Sequence, residues 1–240
     1  MHTRQRYSQN ESSTSLVTSV IVATLKQTVN NTPIDLAEIA QSARTTSRVA
    51  RNVLAELTRL DLSSVTTLNL SNRFKIALEA VRLGASERAA RALTWQEFEE
   101  FAEQCLRIAG FNTKKGVVFN DGKRRWQIDL VAIKDQVLLV IDCKHWESPN
   151  YSSKFRKATE HQKQSLQPLI RHLRAHGTVT TPEVWTLPLI MTLFDPREPM
   201  IDNVVLVSVG QLADFLEHVT PYDADLPFVS NRADAQSSIS

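Results

Sequence analysis

The 240 residues include only two cysteines, too few for a disulfide framework. Cys105 falls on the apolar stripe of a helix pattern and Cys143 on the inward side of a strand pattern. Both read as small buried hydrophobes and not as zinc ligands. Long apolar runs are missing as well. Nothing approaches the roughly 18 continuous apolar residues of a membrane span, and the polar start Met1 to Thr14 has no secretory h-region. No membrane association is expected, and the compartment implied is cytoplasmic and reducing. Overall charge is also nearly balanced, at +2, but it is unevenly placed: 26 Lys+Arg meet 17 Asp+Glu up to Thr180, then 2 meet 9. A basic body suits phosphate contacts, although such asymmetry also occurs in proteins that never meet nucleic acid. At 240 residues the chain can hold two small domains, each with its own core.

The most apolar run, Val137 to Ile141, ends in Asp142-Cys143-Lys144. Side chains alternate faces along a strand, so Asp142 and Lys144 share one side and Cys143 takes the other. If Asp135-Gln136 is a two-residue turn, Lys134 faces Val137, and the same register sets Asp129 opposite Asp142. A bulge or a longer loop would break that register. An ionised carboxylate at a buried strand end is costly unless it is paired or binds metal. Two hard carboxylates suit Mg²⁺, with Mn²⁺ able to substitute, since Mg²⁺ takes one or two protein carboxylates and leaves its other positions to water and phosphate oxygens. Lys144 on the same face can orient or activate a water, and the chemistry implied is phosphodiester hydrolysis. The alternative is a solvated Asp142–Lys144 pair at a strand edge.

A further acid can come from Leu93 to Phe111, where apolar residues at helical spacing run to a stop at Gly110. Thr94 and Glu97 form a capping box, which gives Glu97 a structural role. Glu100 and Glu103 fall on the outer face of this helix, whereas Glu99 flanks the buried stripe beside Ala102 and Leu106. Glu99 is therefore the candidate to reach the hairpin, and a solvated flank residue is the alternative.

The order Phe98-Glu99 on a helix ending Ala109-Gly110-Phe111, then Ile128-Asp129-Leu-Val-Ala132, then Val140-Ile-Asp-Cys-Lys144, resembles the PD-(D/E)xK nuclease superfamily. Within it the likeness is to Mrr-type restriction endonucleases and archaeal Holliday-junction resolvases. The resemblance covers roughly Leu93 to Gln167 and implies a metal site of Glu99, Asp129 and Asp142, with Lys144 completing the catalytic set. Ile128 stands where the family's proline would be, and Asp142 where many members have Glu or Gln. The family tolerates both variants.

Ahead of this region, Met1 to Ser13 is polar and reads as frayed, and Leu16 to Val29 as a first helix. A second helix is expected to start with Thr32 as cap and Pro33 in its first position. After a turn at Ala43 to Thr45 comes a third helix over 46–60, with Arg48, Arg51 and Asn52 facing outward. This is the spacing of a helix-turn-helix. Leu62 to Leu70 reads as a strand or wing and Asn72 to Leu83 as a helix with Arg73 and Lys75 near its start. The set resembles winged-helix DNA-binding domains, in which Arg48, Arg51 and Asn52 would meet bases or phosphates. A small helical bundle for dimerisation or docking is the alternative. Gly84 to Ala92 reads as the linker.

The second domain follows an α-β-β-β-α-β pattern. Lys123, Arg124 and Arg125, in the turn before Asp129, can hold a phosphate or simply form a charged turn. His145, Trp146 and Tyr151 can contact nucleic acid or pin their loop. On a long basic helix over 153–176, which Pro168 is expected to kink or divide, Lys157, Gln162 and Gln164 are candidates to face the acids. Two strands and a helix follow, and a loose tail from Ala224. The expectation is thus an α/β protein: a winged helix-turn-helix over 14–84, then a restriction-endonuclease-like domain over 93–220. It would act as a Mg²⁺-dependent endodeoxyribonuclease on DNA, with a homodimer plausible. A non-cleaving DNA-binding regulator on the same fold is the alternative.

Overall fold

Helix-forming sequence dominates the first third of the chain. In the computed structural model, which describes residues 2–62, 67–144, 152–193 and 195–233, it gives α1 (His2–Gln27), a 3-10 turn (Val29–Asn31), α2 (Leu36–Ser42), α3 (Ser47–Thr58), α4 (Leu70–Arg82) and α5 (Ser86–Ala90). α1 begins well before the expected Leu16. Val20, Ile21 and Leu25 of α1, Ile39 of α2, Leu54 of α3 and Ile76 of α4 are all fully buried. The buried hydroxyls of Thr24 and Thr28 donate to the carbonyls of Val20 and Thr24, so α1 buries them without an orphan donor.

α2 starts three residues beyond the Thr32-Pro33 position. Asp35 is the cap, accepting from the amides of Ala37 and Glu38 at 2.9 and 3.1 Å, while the Thr32 hydroxyl is turned back to the Val29 carbonyl. Thr46 caps α3 through the Val49 amide, and α2 and α3 are consecutive helices joined by a short turn. No strand occurs among the described residues of this region, and residues 63–66 of the expected wing lie outside them. The expected linker is in fact structured. α5 forms within it, because Ala89, Ala90 and Ala92 are buried at 1, 2 and 4% exposure. Arg73 is buried too, and its guanidinium binds both Glu97 oxygens, the Leu25 carbonyl and the Thr28 hydroxyl.

The chain divides into two compact units, Met1–Phe98 and Glu99–Ser240. The division falls inside α6 (Trp95–Ile108), whose first turn carries the capping box: the Thr94 amide donates to Glu97 at 2.8 Å and the Glu97 amide to the Thr94 hydroxyl at 3.3 Å.

The second unit is built on one mixed sheet of β1 (Asn112–Asn120), β2 (Arg125–Lys134), β3 (Val137–Lys144), β4 (Glu183–Thr192), β5 (Met200–Ile201), β6 (Val204–Ser208) and β7 (Val229–Arg232), with α7 (Ser152–Ala175) and α8 (Leu212–His218). The sheet order is β1-β2-β3-β4-β6-β5, and β7 pairs with β4. β2 runs antiparallel to both β1 and β3, whereas β3, β4 and β6 run parallel to one another. Antiparallel hairpins joined by tight turns, then a crossover through α7 into a parallel strand, follow from the connection lengths.

Leu166, Leu169, Ile170 and Leu173 of α7 pack with Trp126, Ile128, Val131, Leu138 and Val140. α7 runs unbroken through Pro168, so the expected division of this helix does not occur. The tail is not wholly loose either. β7 lies along the first half of β4, where the buried Asn231 amide donates to Thr186 and its oxygen accepts from Gln167. Among the described residues no helix is long and apolar enough to cross a membrane.

Candidate active site at the β2–β3 acid pair

Asp135 takes a positive φ of 53° in the tight turn between β2 and β3. Lys134 pairs with Val137 and Leu130 with Ile141, and one step further this register brings Asp129 to Asp142. The Asp129 carboxylate accepts from the Cys143 amide at 2.9 Å and shares a hydrogen bond with the Asp142 carboxyl. Lys144 Nζ donates to Asp142 at 2.6 Å, with the two side chains 22 and 15% exposed. The cluster is thus half-withdrawn from water yet still reachable. Burial pushes the Asp142 carboxyl up to about 7; Lys144 opposes the shift and the Asp129 charge adds to it. Among the described residues two acids meet one ammonium here, and such a carboxylate pair is the donor chemistry a divalent cation satisfies. Among the described residues, though, no three His, Cys, Asp or Glu side chains gather into a metal-ligating group.

Leu138 and Val140 belong to the cluster beneath α7, and the two-residue period carries Asp142 and Lys144 to that side. Gln162 of α7, 1% exposed, donates to the carbonyls of Val140 and Leu189, both at 2.9 Å. It clamps β3 and β4 just below Asp142 instead of presenting its amide to the acids. Gln164 is exposed and accepts from Arg124, and Lys157 is exposed. His161, absent from the sequence-based set, lies with its ring 5.6 Å from that of Trp126 and within electrostatic reach of Asp129, Lys144 and Arg124. Nothing in one helix turn announces this. It depends on where α7 crosses the end of β3.

Lys123, Arg124 and Arg125 are exposed in and beside the β1–β2 turn. Asp121 organises that turn by accepting from the amides of Lys123 and Arg124 and from the Trp126 indole. Its carboxyl is held down at about 2 by these bonds, the Arg124 amide foremost. The Arg124 guanidinium stacks 3.4 Å above the Trp126 ring, so this cation is fixed in place before any ligand arrives.

On α6, Glu99 is half-buried, and its charge is felt at the Cys143 thiol and at Lys115. Glu100 and Glu103 do not face outward as expected. β1 covers that side of the helix, so Glu103 is 6% exposed and binds Arg107, Thr113 and Lys115, while Glu100 pairs with Lys115 at 2.5 Å. Arg48, Arg51 and Asn52 are exposed on α3. His145, Trp146 and Tyr151 lie outside the described residues.

Residues 90–181 match the Mrr_cat family, described as restriction endonuclease. An archaeal relative from Archaeoglobus fulgidus, itself described as an uncharacterized protein, is 25% identical over 138 residues, which is 57% of this chain and all of the relative. Among solved structures, protein VC1899 from Vibrio cholerae aligns at a TM-score of 0.38 and 14% identity over 88% of this chain, which spans 52% of that protein.

Proposed function

We propose that residues 90–181, which match the Mrr_cat restriction-endonuclease family, carry the activity of a Mg²⁺-dependent endodeoxyribonuclease acting in restriction or in DNA repair and recombination. The observation that carries this reading is the incomplete charge cluster at the hairpin end, two adjoining carboxyls and one lysine facing α7. Asp129 and Asp142 would hold the metal, with Mn²⁺ able to replace Mg²⁺, and Glu99 is the third acid of the family pattern. A divalent cation there supplies Lewis acidity toward the phosphate and a more acidic bound water.

The chain's own groups do the rest. The Lys144 ammonium, anchored on Asp142, orients the attacking water and offsets charge on the phosphate as it becomes five-coordinate. Arg124, fixed over Trp126, holds a neighbouring phosphate, and Lys123, Arg125, His145 and Lys157 extend that contact along the backbone. In the region 14–84, which we read as a winged helix-turn-helix, Arg48, Arg51 and Asn52 position the DNA, and 93–220 is the catalytic domain. We place the protein in the cytoplasm, and a homodimer would put one site on each strand.

Cleavage of labelled plasmid, linear duplex, single strand and four-way junction with Mg²⁺, Mn²⁺ or EDTA tests this reading. Cutting that needs metal and disappears in Asp142→Ala and Lys144→Ala is expected. A wild type that binds DNA and cuts none of the four would make the protein a non-cleaving DNA-binding regulator.

A further inference from the structure

Paired residues of neighbouring antiparallel strands share a face, and the face alternates from one row to the next. Along β1 and β2 this alternation breaks once. At the start of β1, Lys114 reaches the Thr178 hydroxyl just past α7, and its partner Val131 lies in the cluster beneath α7. Thr113 and Lys115 point the other way, to Glu103 and Glu100 of α6. Strict alternation would then send Val117, Phe119, Trp126 and Ile128 to the α6 side. All four instead lie in or against the α7 cluster, with the Phe119 ring stacked 4.9 Å from that of His172 and the Trp126 ring 5.6 Å from that of His161. The pairs Lys115–Leu130 and Val117–Ile128 keep one register, so no residue is inserted and the reversal is made in the row of Gly116 and Asp129. Gly116 has a φ of 61°, and among the described residues of both strands it alone is left-handed. A Cβ there would meet nothing within 4 Å, so glycine is needed for its conformation and not for room.

The consequence falls at the acid pair. Asp129 meets Asp142 on the α7 side, and unbroken alternation would carry Gln127 and Arg125 onto that face after it. Because of the reversal Trp126 arrives there instead, with the Arg124 guanidinium 3.4 Å above its ring and donating to Gln164 of α7. We propose that Gly116 is the positioning residue that sets the Arg124–Trp126 pair on the same face of the sheet as Asp129 and Asp142, where the guanidinium meets a DNA phosphate beside the one being cut. The inference rests on the phosphate contact given to Arg124 in the nuclease reading. Gly116 acts through the direction of the two strands and not by contact with DNA.

The test is affinity for a labelled duplex over a range of salt, in EDTA so that nothing is cut, with melting temperatures alongside. The proteins are wild type, Arg124→Ala, Gly116→Val, Gly116→Ala and Gly116→Asn, and the valine and alanine changes each combined with Arg124→Ala. Loss of one charged phosphate contact should weaken binding about tenfold and lower the slope of log affinity against log salt by about one. Arg124→Ala and Gly116→Val should each show this, Gly116→Ala should show part of it, and the combined variants should lose no second contact. Asparagine tolerates the left-handed region, so Gly116→Asn should bind close to wild type. The alanine series carries the comparison if the valine chain does not fold. Valine and alanine variants that bind as wild type does would overturn the proposal while leaving the Arg124 contact intact. So would losses that add to that of Arg124→Ala, or an asparagine variant as weak as the valine one, since those results describe a general packing defect. An Arg124→Ala protein that matches wild type, or a wild type that binds no duplex, would remove the Arg124 contact and this inference together, and the cleavage assays decide the nuclease reading separately.

Discussion

Glu97 and Asp142 are both carboxyls drawn partly out of water, and their surroundings treat them in opposite ways. Around Glu97 the compensation is complete. Burial would raise its pKa, but the Arg73 guanidinium and the Thr94 amide and hydroxyl outweigh burial and hold the carboxyl below its ordinary range. Arg73 in turn spends its remaining donors on Leu25 and Thr28. Around Asp142 the compensation falls short: a second acid lies alongside, Lys144 pairs with Asp142, and the carboxyl still rises to about 7. A buried ion pair with every donor matched holds a fold together. One left deficient in positive charge is destabilising by itself and is retained where something else completes it.

The largest effect expected from this contrast is on cleavage. Asp142→Ala should lower the single-turnover rate by at least about 1,000-fold, equivalent to several kcal/mol of transition-state stabilisation, with little loss in urea stability. Arg73→Met should do the reverse. It strands Glu97 in a partly apolar site and should cost about 3–5 kcal/mol in urea unfolding, without touching the acid pair. If Asp142→Ala proves the more destabilising of the two, the contrast is lost.

The next effect is on pH dependence. The folded-state pKa of Asp142 lies above the ordinary carboxylate value, so its stability contribution is full below that ordinary value and is lost as pH rises through about 7. Asp142→Asn should therefore melt several °C above wild type at pH 8, for a gain of about 2 kcal/mol. At pH 5 the two should nearly coincide. Mg²⁺ should raise the wild-type melting temperature more at pH 8 than at pH 5, and Asp142→Asn should blunt that response. Equal metal effects at the two pH values would count against the acid pair as its binding site. Smallest is the helix cap. Asp35→Ala should cost about 1 kcal/mol in the same urea experiment and leave the cleavage rate alone, which sets the scale for an ordinary structural acid.

The acid pair was legible because it depends on local features: a two-residue turn, an apolar run that marks a strand, and alternation that assigns faces. The Thr94–Glu97 box was legible for the same reason. What escaped depended on distant parts of the chain. Two potential caps, Thr32 and Asp35, stand at this turn, and only the folded turn, with Gln27 donating to the Pro33 carbonyl, shows which is used. Glu103 looked solvated on its helix because no helical pattern reveals that β1 will cover it. Residues 229–232 looked like tail because their strand exists only by pairing with β4. His161 escaped because its place against Trp126 depends on how α7 packs on the sheet.

β4 changes neighbours along one side: β7 flanks Glu183 to Thr186 and β6 flanks Leu189 to Thr192. The backbone of Trp185 donates toward β3, to Gln136, so by alternation the nitrogen of residue 188 points to the side where the neighbours change. That residue is Pro188, which has no hydrogen to offer, at a position where neither strand reaches. The proline acts as punctuation. It prevents β7 from zipping onward into the track of β6, and it denies a foreign strand a continuous edge should β7 peel away. Replacing Pro188 with valine would leave the acid pair untouched while removing this stop, and the protein's tolerance of handling at high concentration would be the property to change.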